Sequence, residues 1–301
     1  SPAFGLAGAT YRDKQPDGTN VRRHLDVGEN PPGGAIVYYW LESQPESAVE
    51  LSIYDKKGVM IDKFSSAETE NPERRLSEKL GLNRFVWNLS YRAVQALDRT
   101  LVTRDYEPLA RERKGRGPAA PPGQYKVRLS VGEIRTTASF VLLKDPRVET
   151  TQAAFDEQFE LLRELNTRRS ELRTQVDRIR QIKRQLDGLV EKLPKGVRKI
   201  IPSVTSIRNK LEIIENVLVD AQRESPRDVL RRPAGLDDTL GDLMWCVTMS
   251  DTAPPIQTQK VSVEVVKKID NEIQKLNKLV DGPIAALNAK VEKAGVPAII
   301  A

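Results

Sequence analysis

The chain holds one histidine, His24, and one cysteine, Cys246, and those two counts remove most catalytic arrangements at the outset. A lone imidazole cannot form a His-x-x-x-His metal pair, and it leaves no second imidazole for a serine or cysteine nucleophile to draw on. His24 sits beside Arg22 and Arg23 in a stretch without clear periodicity, where a solvated role is expected. Cys246 lies in Leu243-Met244-Trp245-Cys246-Val247 and is expected to be buried as a small hydrophobe. A single thiol excludes an intrachain disulfide and a thiolate metal cluster. The chain has no Gly-x-Gly-x-x-Gly after a strand and no phosphate loop ending in Gly-Lys-Ser/Thr. Nucleotide chemistry is therefore unsupported, and no cofactor or metal is expected.

Carboxylates are the remaining catalytic type, since a glycosidase needs only two of them spaced across the scissile bond. Asp237, Asp238 and Asp242 cluster, as do Glu68, Glu70 and Glu73. Both groups lie in polar, loop-like contexts without aromatics for a sugar subsite, so solvated acids or helix caps are expected. The basic runs offer binding chemistry instead. Arg163, Arg168, Arg169, Arg173, Arg178, Arg180, Lys183 and Arg184 crowd one segment. Phosphate recognition wants such groups on one face with stacking aromatics nearby. Here Glu164, Glu171 and Asp177 are interleaved, and no aromatic lies between Phe159 and Trp245. A solvated, salt-bridged helix surface is expected, with no specific nucleic-acid recognition. Arg111, Arg113, Lys114 and Arg116 form the one candidate surface contact, within a long basic connection between Tyr91 and Ala120 that is the least core-like stretch of the chain.

The elements that must carry these groups change character once, at Lys144-Asp145-Pro146-Arg147. Before that point apolar residues alternate every second position between Pro/Gly turns; after it they recur every three or four. Period two marks half-buried strands and period 3.6 amphipathic helices. The fold class is therefore α+β as separate domains. An antiparallel immunoglobulin-like β-sandwich over 28–147 is followed by a long antiparallel helical hairpin or three-helix bundle over 148–301, with 1–27 as a tether. Ala35 to Leu41 is apolar on both faces and predicts a strand covered on both sides. Leu51 and Ile53, Val59 to Phe64, Phe85 to Leu89, Tyr125 to Val131 and Thr136 to Leu143 supply the other strands. Trp40, Trp87 and Tyr125 are expected as core anchors.

Thr150 or Thr151 can cap the first helix, and the absence of proline until Pro194 allows about 40 residues, roughly 60 Å of helix. Arg169 and Lys183 fall on its apolar register and interrupt it. Further stripes run from Val204 to Ala221 and from Val266 to Val280, where Gly282-Pro283 should kink or break the helix. A shorter helix is expected around Leu236 to Val247. Hydrophobic residues are 39% and charged residues 30% of the 301, with a net charge of +6. That mix suits long helices with wide solvated faces. No apolar run reaches the roughly 20 residues of a membrane span. The chain opens Ser1-Pro2-Ala3-Phe4 and reads as a fragment or processed product.

Several motifs occur in an order that resembles one family. Gly28-Glu29-Asn30-Pro31-Pro32-Gly33-Gly34-Ala35-Ile36-Val37-Tyr38-Tyr39 is similar to the segment opening the C-terminal region of exported bacterial β-propeller proteins. These carry sortilin-like or sialidase-type (BNR) repeats and are often labelled glycosyl hydrolases. Gly81-Leu82-Asn83-Arg84-Phe85-Val86-Trp87-Asn88-Leu89 and Pro121-Pro122-Gly123-Gln124-Tyr125-Lys126-Val127 resemble the same region, and also the immunoglobulin-like sandwich of flagellar hook-capping proteins. Asp145-Pro146-Arg147, Leu287-Asn288-Ala289 and Gly295-Val296-Pro297 fit the helical tail. The resemblance covers about residues 26 to 301. It implies an upstream propeller, export to the periplasm, cell surface or beyond, and an accessory role for this region. No aspartate box, Ser-x-Asp-x-Gly-x-Thr-Trp, occurs; Ser52-Ile53-Tyr54-Asp55-Lys56-Lys57-Gly58 lacks its spacing and its tryptophan. The basic insertion before Pro121 departs from the family's compact connection.

The expectation is a non-catalytic accessory region that packs against the propeller of its parent chain or another protein partner. Two other readings stand beside it. The region could contribute to a glycan-processing active site in the parent, or it could be an adaptor for an anionic polymer.

Overall fold

The computed structural model describes residues 10–14, 20–24, 33–67, 74–94, 96–97, 117–193, 195–220, 233–293 and 295–300. Among them are eight strands, all paired antiparallel, followed by five α-helices. The α+β composition and the order of strands before helices follow the single change of period. The chain divides into two compact units, residues 1–44 with 79–88, and residues 45–78 with 89–301.

The first unit contains a hairpin of β1 (Thr10–Lys14) and β2 (Asn20–His24) and a two-stranded sheet of β3 (Ala35–Leu41) and β6 (Gly81–Trp87). The hairpin falls in the segment expected to be a tether. The signal for it was present, because the strands are joined by Gln15-Pro16-Asp17-Gly18-Thr19, and x-Pro-Asp-Gly-x is a turn signature. Asn83 supports the entry to β6. Its side chain accepts from Lys79 N at 3.2 Å and donates to the carbonyls of Lys79 and Gly81 at 2.7 and 3.0 Å.

The second unit opens with a four-stranded sheet in the order β5-β4-β7-β8. Its strands are β4 (Val49–Tyr54), β5 (Met60–Ser65), β7 (Gly123–Val131) and β8 (Ile134–Leu142). Val49, Leu51 and Ile53 are fully buried, and Leu51 lies opposite Phe64 on one side and Leu129 on the other. Asp62 is buried on β5 and is held by Arg74 through a bidentate pair of 2.9 and 2.7 Å. The same guanidinium lies 4.7 Å from the Phe64 ring centroid. Two planar forks facing each other account for a carboxylate tolerated in a sheet.

Helix α1 spans Gln152–Lys192, 41 residues, and the Thr151 hydroxyl accepts from Ala154 N at 3.3 Å as its N-cap. It fills most of the proline-free stretch between Pro146 and Pro194. A 3₁₀ turn over Lys195–Ile200 leads into α2 (Ile201–Val219), with Pro202 in its first turn, where a missing N–H costs nothing. Then come α3 (Leu236–Thr248), α4 (Ile256–Leu279) and α5 (Ala285–Glu292). Gly282-Pro283 does not break the chain's helical path. A π turn over Val280–Ile284 joins α4 to α5. The stripe Leu276, Val280, Ile284, Leu287, Val291 advances mostly by four, slower than the 3.6 residues of an α turn, and one wide turn takes up the excess. All five helices share one apolar core that includes Leu172, Ile179, Leu211, Leu218, Leu240, Ile269 and Val291.

The first half of α1 also holds the connections that flank the sheet of its own unit. Gln152 Nε2 donates to Pro122 O at 3.0 Å, Phe159 meets Tyr91 at 4.6 Å between centroids, and Asn166 Nδ2 donates to Arg92 O at 3.3 Å.

Candidate functional site

Three of the eight cations crowding α1 are not on the solvated surface expected for them. Arg169, Arg173 and Arg180 are buried, while Arg163 and Arg184 are exposed and Arg168, Arg178 and Lys183 lie between. The reason is in the register. Arg169, Leu172, Val176 and Ile179 follow the spacing of one helix face, so Arg169 had to enter the core or break it. What makes entry possible is Asp237 in the first turn of α3, which is 0% exposed. Its Oδ1 accepts from Arg169 Nε at 3.1 Å and Arg173 Nε at 2.7 Å. Its Oδ2 accepts from Arg169 Nη2 at 3.0 Å and Arg173 Nη2 at 2.8 Å. One carboxylate thus receives two side-on guanidiniums, and the helix N-terminus adds positive potential at the same place.

Burial alone would raise the Asp237 pKa. The hydrogen bond from Arg173 and the charges of Arg169 and Arg173 outweigh burial and hold it below the usual carboxylate range. The expectation of solvated acids at Asp237 and Asp238 is therefore corrected: both are buried, and only Asp242 of that group is exposed. Gly241 is part of the same arrangement. A Cβ there would stand 2.9 Å from Arg169 Nη2 and 3.1 Å from its Cζ, so glycine lets α3 close over the guanidinium.

A second buried pair lies further along α1. Arg180 Nε donates to Glu215 Oε1 at 2.7 Å, and Lys183 Nζ donates to Oε2 at 2.9 Å. The two terminal nitrogens of Arg180 are buried without a hydrogen-bond acceptor among the described residues. These contacts tie α1 to α2 and α3 and occupy the carboxylate oxygens of Asp237 and Glu215.

The apolar residues show the opposite displacement. Trp87 and Tyr125 are buried as expected, but Trp40 is 64% exposed. Strand β3 is not covered on both sides. Tyr39 and Leu41 face inward, whereas Ile36, Tyr38 and Trp40 face outward with Leu82 of β6. Cross-strand pairing sets Trp40 opposite Leu82, Tyr38 opposite Arg84 and Ile36 opposite Val86. Tyr38 is 59% and Leu82 66% exposed, so one face of this two-stranded sheet carries a row of solvent-facing apolar side chains. Cys246 is also exposed, because the buried stripe of α3 runs through Leu236, Leu240 and Val247 and passes beside it.

The remaining candidates carry less. Arg111, Arg113, Lys114 and Arg116, and likewise Glu68, Glu70 and Glu73, lie outside the described residues. His24 lies on β2. A shallow groove among α2, α3 and α4 is lined by Val217, Leu236, Lys268, Lys275 and Lys278, with Glu272 engaged by Lys275 at 2.6 Å. Among the described residues no cluster of three or more His, Cys, Asp or Glu is arranged to hold a metal ion. No described helix is long and apolar enough to cross a membrane. Burial pushes the Tyr91 phenol up to about 12, too high to serve as a base near neutrality. Comparisons with protein-family models, with curated proteins and with solved structures give no match.

Proposed function

We propose that this chain is a non-catalytic interaction module that docks a β-propeller through the exposed face of β3 and β6. The observation that carries the proposal is the outward row Ile36, Tyr38, Trp40 and Leu82. Exposed apolar residues that are contiguous on ordered strands mark interaction surfaces, and Trp and Tyr are the types enriched at interface centres. The resemblance to exported propeller proteins supplies the occupant and the compartment, outside the cytoplasm. The immunoglobulin-like sandwich belongs to the same reading. It is supported by the Tyr125 hydroxyl near the start of β7, which donates at 2.5 Å to Pro121 O, four residues upstream and just before the strand, as in a tyrosine corner. The helical-bundle reading is supported by the shared core of α1, α2 and α4.

The two rival readings lose support on specific residues. A glycan-processing role has no carboxylate pair to offer in Asp237 and its neighbour, since Asp237 is enclosed by two arginines. A polyanion adaptor loses Arg169, Arg173 and Arg180 to the interior.

The test is calorimetric titration of the chain with a propeller of the resembled class from the same reading frame. Binding should weaken at least tenfold on Trp40→Ser with the circular dichroism spectrum unchanged. Equal binding by the variant would remove this face from the reading. Turnover of an aryl-glycoside panel that disappears on changing one carboxylate would restore the enzyme reading.

A further inference from the structure

The segment Val296–Ile300 is held by side-chain amides as a bound peptide would be. Helix α5 ends in a Schellman turn: Val296 N donates to Val291 O and Gly295 N to Glu292 O, each at 3.0 Å. Gly295 takes φ +72°, the left-handed conformation that this motif requires. The chain then runs back along the helices. Asn288 of α5 donates from Nδ2 to Ile299 O and accepts at Oδ1 from Ile299 N, both at 2.9 Å. Gln185 of α1 donates to Ile300 O at 2.9 Å and accepts from Ile300 N at 2.8 Å.

Asn288 and Gln185 grip adjacent residues of the segment, one from α5 and the other from α1. The amides satisfy backbone groups only and are blind to side chains. Selectivity comes from one position, since Ile299 is buried in the helical core while Ile300 is exposed. Val296 packs partly against the same core.

We infer that this groove is a peptide-recognition site for the Val296–Ile300 segment, closed in cis within one copy and able to take the same segment from a second copy. The occupant that fits is carried by every copy. The link that would reroute it is exposed at Lys293, Gly295 and Pro297. Exchange of identical segments is a low-cost route to a dimer. The cis segment competes at an effective concentration of about millimolar, as for a short flexible tether, so the trans site opens fully only when the cis segment is disabled. The inference is independent of the interaction face on β3 and β6.

Two full-length variants test it. Ile299→Asp spoils the segment and leaves the groove, whereas Asn288→Ala with Gln185→Ala spoils the groove and leaves the segment. A fluorescent peptide of sequence Gly295 to Ile300 should bind Ile299→Asp at least tenfold more tightly than the unaltered chain, and should not bind the double variant. Mixed one to one, the two variants should sediment as a heterodimer while each alone stays monomeric. Should Ile299→Asp lose its helical spectrum, Ile299→Ala replaces it with the same readouts. Absence of peptide binding by a folded Ile299 variant overturns the recognition site. Peptide binding without a heterodimer overturns the exchange.

Discussion

Replacing Asp237 by Asn keeps the volume at the centre of the α1–α3 contact and removes only the charge. Four hydrogen bonds of 2.7–3.1 Å then lose their ionised acceptor, and Arg169 and Arg173 remain enclosed. Breaking a buried pair by deleting one partner typically costs about 3–5 kcal/mol, because an uncompensated charge stays inside. For a unit of this size a change of 1 kcal/mol moves the melting temperature by about 2–4 °C, so Asp237→Asn should melt ~6–20 °C lower. The comparison variant replaces all three groups, Arg169→Met, Arg173→Met and Asp237→Leu. Removing a buried ionic triad in favour of apolar residues is often neutral or stabilising by about 1–4 kcal/mol, so the triple variant should be at least as stable as the unaltered chain. Urea unfolding followed by circular dichroism measures both, with the dependence on denaturant checked for constancy. The reasoning fails if Asp237→Asn costs less than about 1 kcal/mol, the range of an exposed ion pair, because the triad would then have to be hydrated.

Acid should act through the same carboxylate. Its folded pKa lies below the ordinary 3.8, so its contribution is complete above that value and is lost as pH falls from 3.8 through the folded pKa. The stability difference between the unaltered chain and Asp237→Asn should therefore be flat near neutrality and shrink below about pH 3.8; a difference that vanishes already at pH 6 would contradict this. Gly241→Ala should destabilise by about 1–3 kcal/mol, because the new methyl meets a guanidinium pinned by two hydrogen bonds; thermal unfolding reads it. Trp87→Ala should cost about 3–5 kcal/mol as a deletion from a fully buried site, while Trp40→Ser should stay within about 0.5 kcal/mol, and matched denaturation curves for the two variants would refute the assignment of faces.

Element type and order were legible because they depend on period. The 41 residues of α1 follow from the absence of proline and the threonine at its start, and the β4–β5 hairpin from Asp55-Lys56-Lys57-Gly58 between alternating strands. What failed was the assignment of polarity to place. Arg169 was visible on the apolar register of α1, but its acceptor, Asp237, lies 68 positions further on, and no local rule pairs them. Asp237 and Asp238 look like first-turn acids, which they are; that the turn lies against two arginines is a tertiary fact. Trp40 and Cys246 misled in the reverse direction, since apolar neighbours in sequence do not decide which face a strand or helix presents. The clamp by Asn288 and Gln185 was not legible at all, because an amide in an amphipathic helix reads as solvated.

The 41-residue helix also decides how the molecule can be taken apart. With about 1.5 Å of rise per residue, α1 is a beam of ~60 Å. Its early turns hold Pro122, Tyr91 and Arg92, and its later turns hold Asp237, Glu215 and the backbone of Ile300. Cutting at Lys144–Arg147, the natural place on reading the hydrophobic period, would strip Phe159 and Asn166 of their partners. Genetic shuffling faces the same obstacle: a sheet exchanged by recombination would have to arrive with a rewritten first half of α1. The four-stranded sheet and the helices are expected to be inherited, expressed and degraded as one piece.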